Sequence, residues 1–337
     1  MKRILLIGTG GTIASGDTEA GLSPAMDSAA FLRYVPAVRA LCHVETLQVC
    51  NIDSTNMTPG RWLDIAGAVR ARYDAFDGFV ISHGTDTMAY TAAALSYLIQ
   101  GSPKPIVLTG SQKPISMDIT DSKTNLLDSF TVACDGRIAG VTVVFGGAVI
   151  LGARARKTYS KSYGAFSSIN YPVLGVVRDG RLVPYIRPPC LDAPRFYDRL
   201  DRSVSLVKLI PGVSPALLSF ALEHSDGVLI ESFGVGGVPA GDGGQFFDLI
   251  RAAVDRGKTV VVTTQVQNEG SDLAVYNVGH RLKSDLGVLE SYDMTLEAAV
   301  AKLMWALAQT REPAQVAALF YTPIAGDILA LPGVQES

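Results

Sequence analysis

Short apolar runs, each followed by a stretch with helical periodicity, constrain the fold of this chain more than any other feature of its sequence. The runs are rich in β-branched residues and end in or next to Gly, Ser or Thr. They cover residues 4–7, 79–82, 106–109, 141–145, 228–230 and 260–263. Such alternation is typical of βαβ units, in which helices cover both faces of a parallel sheet. The sequence therefore predicts an α/β fold built on mostly parallel sheets.

The sequence predicts where two of the intervening helices begin. One has Thr58 as its N-cap and Pro59 at its first helical position, where the missing proline N–H leaves no hydrogen bond unmade. The apolar residues of this helix share one face: Trp62, Ile65, Ala66 and Val69. The other helix is expected from about Thr295 through Leu303 and Trp305.

Length and composition predict two domains. The chain has 337 residues, of which 48% are hydrophobic, enough to bury two ordinary cores. Prolines and mixed charges accumulate within residues 184–211, as is typical of a linker. We expect a larger N-terminal α/β domain over residues 1–187, a linker over 188–208 and a smaller C-terminal α/β domain over 209–337.

Charge and hydropathy exclude several classes of partner. The formal net charge is −3 and no basic block occurs, which argues against a nucleic-acid partner. The first apolar run, residues 4–7, is shorter than the core of a signal peptide, and no stretch approaches the roughly 18 apolar residues of a membrane helix. We expect a cytoplasmic protein that does not bind a membrane.

The cysteines and histidines do not suggest a metal site. The four cysteines are scattered and never form a CxxC pair, so we expect reduced, mostly buried thiols. The four histidines are not spaced as metal ligands. We therefore expect no metal.

In an open parallel sheet, ligands bind beyond the carboxyl ends of the strands, so the polar segments after each strand are candidate sites. The first such segment, residues 8–15, is rich in glycine, whose free amides suit negative charge, and it contains Thr12. The alternative interpretation of this segment is the glycine-rich motif of a dinucleotide-binding site, but Ile13 occupies the position of the third glycine of that motif. The Lys-Ser/Thr pair of a phosphate loop is also missing.

The second segment, residues 82–87, has two interpretations. Thr85, Asp86 or Thr87 would serve as a cap for the following helix. Alternatively, the carboxylate would bind the ammonium group of an amino acid, and the threonine hydroxyl would position or deprotonate a second nucleophile or a water. His83 is expected to be a packed structural residue.

Two further segments also leave alternatives open. Residues 51–59 lead into a helix start and suit a carboxylate ligand, or they form an ordinary polar loop. Lys157 stands close to two arginines, which is typical of a solvated surface charge. If it were buried beside other cations and hydroxyls, its pKa would fall and its amine would serve as a base.

These segments together resemble L-asparaginases, specifically their cytoplasmic type I branch. The resemblance covers nearly the whole chain, and its two N-terminal motifs are highly specific in their order and spacing. It is carried by residues 9–13 (TGGTI), 83–87 (HGTDT), 53–54 (DS), 57–59 (MTP), Lys157, 232–236 (SFGVG) and 293–295 (DMT).

The resemblance implies hydrolysis of L-asparagine to L-aspartate and ammonia through an acyl-threonine intermediate. Thr12 would be the nucleophile. Thr85, Asp86 and Lys157 match the second catalytic cluster of that family, in which the lysine is the base and the aspartate also binds the substrate amine.

The resemblance also implies how the substrate is held. Ser54 matches the residue that binds the substrate α-carboxylate, with Asp53 and Thr55 beside it, and the backbones at Gly11 and Gly84 approach the substrate. No cofactor is implied. The family forms homodimers, often paired into homotetramers, with active sites between protomers.

Three positions depart from the family pattern: the first motivates an alternative function, and the other two argue against regulation by asparagine. Leu22 replaces a loop tyrosine that contacts the nucleophile, Gly237 falls where asparagine is common, and residues 266–267 lack a cysteine linked to allosteric control. A catalytically weak or silent amino-acid sensor on the same scaffold is one alternative. A glutamine amidohydrolase of a transfer-RNA amidotransferase is another, and a nicotinamide-dependent dehydrogenase is a third.

Overall fold

The computed structural model describes residues 1–18, 21–24, 26–239 and 244–329, with only the backbone for residues 15–18 and 21–24. The chain divides into two compact units, Met1–Asp198 and Arg199–Ser337. Each unit is built on a sheet of mostly parallel strands with helices, so the predicted two-domain α/β fold is confirmed.

The first unit contains fourteen described strands and five described helices. The strands are β1 (Arg3–Gly10), β2 (Ser15–Thr18), β3 (Gly21–Pro24), β4 (His43–Ile52), β5 (Gly78–Ser82), β6 (Ile99–Gln100), β7 (Pro105–Thr109), β8 (Gly140–Phe145), β9 (Ala148–Leu151), β10 (Ala155–Lys157), β11 (Phe166–Ser168), β12 (Gly175–Arg178), β13 (Arg181–Pro184) and β14 (Arg195–Phe196). The helices are α1 (Ser28–Tyr34), α2 (Val38–Leu41), α3 (Pro59–Arg72), α4 (Met88–Leu98) and α5 (Ser122–Asp135).

Eight of these strands form the main sheet, in the order β13-β12-β9-β8-β7-β5-β1-β4. The pairs from β8 to β4 are parallel, whereas β9, β12 and β13 continue the sheet in antiparallel pairs. Gly8 pairs with Ser82, and Ser82 pairs with Thr109, so the carboxyl ends of β1, β5 and β7 coincide at one edge.

The predicted parallel strands are confirmed, but the edges of the sheet were missed. β1, β5, β7 and β8 are buried along almost their whole length, which explains their continuous apolar runs. β4 lies at the edge of the sheet and is half-exposed, so its sequence carries no such run.

The core of this unit fills both faces of the main sheet. On one face Ile4, Leu6 and Val80 pack with residues of α1 and α5, including Phe31 and Phe130. Alternate strand residues point to the other face, where α4 contacts β7 and β8. The predicted α3 is also confirmed: Thr58 caps it, Pro59 begins it, and its predicted apolar face is buried.

The second unit has a four-stranded parallel sheet and five described helices. The strands, in spatial order, are β15 (Val204–Lys208), β16 (Gly227–Ser232), β17 (Thr259–Thr264) and β18 (Leu289–Glu290). The helices are α6 (Pro215–His224), α7 (Gln245–Asp255), α8 (Asn277–Ser284), α9 (Leu296–Gln309) and α10 (Pro313–Tyr321). Thr295 caps α9, in agreement with the prediction, because its side chain accepts a hydrogen bond from the amide of Ala298.

The predicted linker, residues 188–208, contains ordered structure. The Leu191 amide donates to the Gly101 carbonyl oxygen at 2.8 Å, and β14 pairs with β6 in the first unit. β15 is already the edge strand of the second sheet. The proline-rich composition therefore marks an exposed segment that is held by backbone hydrogen bonds, and the two units divide between Asp198 and Arg199.

The prediction of mostly buried cysteines is wrong. All four are free thiols, but only Cys42 is buried; Cys50 and Cys134 are partly exposed, and Cys190 is exposed in the proline-rich segment. Among the residues that the structure describes, no helix is both long and apolar enough to cross a membrane.

A fully buried ion pair lies in the second unit. Lys302 of α9 and Asp327 are 2.6 Å apart and have no exposed side-chain surface. The lysine ammonium also donates to the Thr322 carbonyl oxygen at 2.7 Å. Removing one partner of a buried pair leaves an uncompensated charge, which is more costly than losing both.

We predict that Lys302→Met destabilises the protein by about 3 to 5 kcal/mol because Asp327 keeps a buried charge. The double variant Lys302→Met, Asp327→Leu should recover most of that loss. Urea unfolding followed by circular dichroism measures both. Equal stability of the single variant and the unchanged protein would contradict this account.

Candidate active site

The first two polar segments meet at the edge where β1 and β5 end. The Thr9 hydroxyl donates to the Ser82 carbonyl oxygen at 2.9 Å. Just after the two strands, Gly11 contacts Gly84: a methyl group added to Gly11 would lie only 2.4 Å from the Cα of Gly84. The two backbones therefore touch, and only residues without a side chain permit this approach.

The third segment joins the same place. The Gly11 amide donates to the Ile52 carbonyl oxygen at 3.0 Å. A methyl group added to Gly84 would lie 2.6 Å from the Ser54 hydroxyl oxygen. The structure thus brings the segments around Gly11, Gly84 and Ser54 into direct contact, although they are far apart in sequence.

Thr12 follows directly from this contact. Gly10 and Gly11 adopt φ angles of 100° and 81°, which side-chain-bearing residues rarely adopt. The chain then enters a short 3₁₀ helix, Thr12–Ala14, in which Thr12 is partly exposed while Ile13 and Ala14 are buried. Thr12 is therefore accessible at the point where the three segments meet.

Lys157 lies against the second segment. Its ammonium nitrogen is 2.8 Å from the Thr85 hydroxyl oxygen and 2.6 Å from a carboxylate oxygen of Asp86. The side chain of Lys157 is 18% exposed, whereas that of Asp86 is 58% exposed. The lysine is therefore enclosed, and the carboxylate keeps a solvent-facing side that a ligand can reach.

The surface-charge interpretation of Lys157 is wrong. Lys157 ends β10, which pairs with β11 and packs along α4. The nearby Arg154 is fully buried, with its guanidinium 5.7 Å from the centre of the Tyr171 ring. Three basic residues so close in sequence are common on surfaces, but here the chain carries two of them inward.

The capping interpretation of residues 85–87 is also wrong. Thr87 occupies the N-cap position of α4, yet no side chain there accepts a hydrogen bond from the helix. The Thr87 hydroxyl instead donates to the Ser54 carbonyl oxygen at 2.8 Å. Thr85 and Asp86 both contact Lys157, so their polar groups serve the cluster and not the helix start.

In the third segment, Ser54 is the buried residue and its neighbours are exposed. Ser54 is 3% exposed and faces Gly84. Asp53 accepts a hydrogen bond from the Thr55 amide at 2.9 Å and caps a 3₁₀ helix, Ser54–Asn56. Asp53 and Thr55 thus form an ordinary polar loop, as one interpretation predicted. Ser54 instead takes part in the contact among the three segments.

His83 is a buried structural residue, in agreement with the prediction. Its Nδ1 lies 2.7 Å from the Gly84 carbonyl oxygen, which can only accept, so Nδ1 carries the proton. Its Nε2 then accepts from the Thr91 hydroxyl at 2.9 Å, and that hydroxyl accepts from Trp62 Nε1. Burial lowers the pKa of His83 to about 4, so the neutral ring orients the Gly84 carbonyl.

The sequence analysis missed Gln112. This residue follows β7, and its side-chain oxygen lies 3.4 Å from the Thr85 hydroxyl oxygen. Its backbone amide and that of Lys113 donate to the buried carboxylate of Asp121, at 2.9 and 3.1 Å. The strand before Gln112, residues 106–109, was predicted. The rule that ligands bind beyond the carboxyl ends of strands would therefore have indicated residues 110–113 as a candidate segment.

The side chain of Leu22 lies outside the described residues, although its backbone pairs with Asp17 in the β2–β3 hairpin. Within the described part of the chain, no group of three or more His, Cys, Asp or Glu side chains is placed to hold a metal ion.

Comparison with known proteins matches both units. Residues 3–189 match the family model described as asparaginase, N-terminal, and residues 203–320 match the glutaminase/asparaginase C-terminal domain. The chain is 39% identical to the L-asparaginase of Thermococcus kodakarensis over 97% of this chain and 99% of that protein. The solved structure of that thermostable L-asparaginase superposes with a TM-score of 0.92, covering 98% of this chain and 100% of that chain at 38% identity.

Two other relatives widen the comparison. One component of the glutamyl-tRNA(Gln) amidotransferase of Pyrococcus furiosus is 33% identical over 97% of this chain and 77% of that protein. A probable cytoplasmic L-asparaginase from Campylobacter jejuni has a TM-score of 0.81, with 28% identity over 95% of this chain and 99% of that chain.

We predict that Gly84→Ala destabilises the protein by about 1 to 3 kcal/mol, because the added methyl group overlaps Ser54 and forces the segments apart. Gly67→Ala is the matched control. It lies in α3 with nothing within 4 Å, and it should stabilise by about 0.5 to 1 kcal/mol. Thermal unfolding measures both; a neutral Gly84→Ala would contradict the described contact.

We predict that His83 destabilises the fold in acid. Its pKa is about 4 when folded and near 6.5 when unfolded, so the unfolded chain binds more protons between these values. From pH 7.5 to 4.5, the native protein should lose about 2 to 3 kcal/mol more stability than His83→Gln. Urea unfolding at both pH values measures this, with the exposed His224→Gln as a control that should behave like the unchanged protein.

Proposed function

Because this chain belongs to the asparaginase family, we propose that it hydrolyses the side-chain carboxamide of L-asparagine to L-aspartate and ammonia. The observation that carries the proposal is the contact of an enclosed Lys157 with Thr85 and Asp86. The segment of Thr85 and Asp86 is held by glycine-to-glycine contact against the segment that presents Thr12. The cluster supplies the base, hydroxyl and carboxylate that amide hydrolysis and amino-acid binding require.

In the first step, the Thr12 hydroxyl oxygen attacks the carboxamide carbon. A threonine hydroxyl is a weak nucleophile and needs a neighbouring base for its proton. The tetrahedral oxyanion is stabilised by backbone amides of the glycine-rich segments, and one such donor is typically worth about 100- to 1,000-fold in rate. The carbon–nitrogen bond then breaks, the nitrogen leaves with the transferred proton as ammonia, and an aspartyl ester remains on Thr12.

In the second step, a water molecule hydrolyses this ester. The Thr85 hydroxyl orients that water, and Lys157, acting as a neutral amine, takes one proton from it; their polar atoms are 2.8 Å apart and the lysine is largely enclosed. The water oxygen joins the acyl carbon, and one water proton restores the Thr12 hydroxyl. Gln112, 3.4 Å from Thr85, fixes which way the Thr85 hydroxyl points.

The substrate's two charged groups have separate partners. The α-carboxylate binds at Ser54, with Asp53 and Thr55 at the exposed rim, where the segment runs toward the start of α3. The α-ammonium binds the solvent-facing carboxylate of Asp86. The backbones at Gly11 and Gly84, which contact each other, approach the side-chain amide.

Glutamine is the second candidate substrate, because a component of a glutamyl-tRNA(Gln) amidotransferase is among the relatives. One methylene group is worth only about 1 to 3 kcal/mol of discrimination, so both amides must be assayed. The same assay distinguishes an asparaginase from the amino-acid sensor suggested by Leu22, since a sensor binds aspartate without releasing ammonia.

We also propose that the protein is a cytoplasmic homodimer or homotetramer. The name of the Campylobacter jejuni relative supports the cytoplasmic location.

We predict that Thr12→Ala lowers ammonia release from L-asparagine by at least about 1,000-fold, whereas Thr12→Ser keeps part of the activity. A coupled ammonia assay without added metal or nucleotide measures both, with L-glutamine and D-asparagine run alongside. Full turnover by Thr12→Ala would refute Thr12 as the nucleophile.

We predict that Lys157→Met lowers the rate by about 100- to 10,000-fold, as expected for loss of a general base. If Lys157 serves the second step, quenched reactions of this variant should show an aspartyl adduct on the Thr12 peptide by mass spectrometry. Lys161→Met, which removes an exposed lysine four residues away, is the matched control and should keep full activity. Equal rates for the two variants would exclude Lys157 from the reaction.

A further inference from the structure

A groove of about 480 Å³ lies in the first unit, apart from the residues assigned above to catalysis and substrate binding. Its walls come from the first turns of α5, the turn between β8 and β9, and the hairpin of β12 and β13. This volume lies within the range of small-molecule sites in proteins. None of Thr12, Thr85, Asp86 and Lys157 lines it.

Asp128, in the second turn of α5, lines this groove. The residue is 7% exposed. Within the described part of the chain, no hydrogen bond or ion pair reaches its carboxylate. Burial alone raises its pKa to about 6. Asp121, at the start of the same helix, shows the contrast: it is equally buried but accepts hydrogen bonds from Gln112, Lys113 and Asn125.

A buried carboxylate without a donor is costly, and a group that supplies both donors and positive charge removes that cost. The described residues do not supply such a group. Lys123 also lines the groove but makes no ion pair with Asp128, and it is only half-buried at the rim. Asp179, exposed on the β12–β13 turn, adds a second negative charge.

Apart from Thr124, the remaining walls are apolar or bare backbone. Val35 and Leu127 line the groove near Asp128, and Val177 lines it from β12. Gly147 contributes backbone without a side chain, and its carbonyl oxygen is already bonded to the Val177 amide. A ligand for this groove therefore combines a cationic donor with a short apolar chain.

We propose that this groove binds a small primary alkylammonium ion, with its ammonium group on the Asp128 carboxylate and its alkyl chain against Leu127, Val35 and Val177. The proposal does not depend on the proposed asparaginase activity, because the two sites share no residue.

Isothermal titration of the full chain with propylammonium chloride at constant ionic strength tests this. Two control probes are titrated alongside: ammonium chloride, which lacks the alkyl chain, and 1-propanol, which lacks the charge. We expect propylammonium to bind at least about tenfold more tightly to the unchanged protein than to the isosteric Asp128→Asn variant. Asp179→Asn, which removes a charge at the rim, should weaken binding less than about threefold.

Asp86 is another acid that could bind an ammonium ion, so Asp86→Asn is the decisive control. Propylammonium affinity must survive in Asp86→Asn and be lost in Asp128→Asn. The reverse pattern, equal binding to Asp128→Asn and the unchanged protein, or no binding at all, would overturn the proposal. Equal affinities for ammonium and propylammonium would overturn the apolar part of it.

Discussion

The contact between the backbones at Gly11 and Gly84 decides where every other group of the candidate site stands. Two chain segments approach so closely that neither residue has space for a methyl group, and Ser54 closes the contact from a third segment. The register of β1, β5 and β7 delivers these segments to the same edge of the sheet. His83 then fixes the orientation of the Gly84 carbonyl from beneath, through a hydrogen-bond chain that reaches Trp62.

Charge is distributed unevenly over this site. Lys157 is enclosed and has both of its observed partners, Thr85 and Asp86, within 2.8 Å. Asp86 keeps one side open to solvent. An enclosed cation and an accessible anion form a pair whose exposed end attracts an ammonium group, which suits the substrate orientation that we propose.

The sequence was sufficient for the parallel core of the fold and for most of the site. Strands that are buried on both faces carry continuous apolar runs, so β1, β5 and β7 could be placed, and the polar residues after them followed from the topology. β4 could not be found in this way because an exposed edge strand loses that pattern. The surroundings of Lys157 were equally hidden, since nothing in residues 152–158 indicates that Arg154 and Lys157 face inward.

Arg154 and Lys157 face inward because this part of the chain runs alongside α4. Gly152 packs near Ser96, toward the carboxyl end of the helix, and Lys157 meets Thr85 just before the amino end. Between these two contacts the chain forms a short 3₁₀ helix, Gly152–Arg154, and then β10, and both lie against α4. The helix therefore holds this segment at both of its ends. An insertion or deletion within residues 152–157 alone would break one of the two contacts and move the ammonium group away from Thr85.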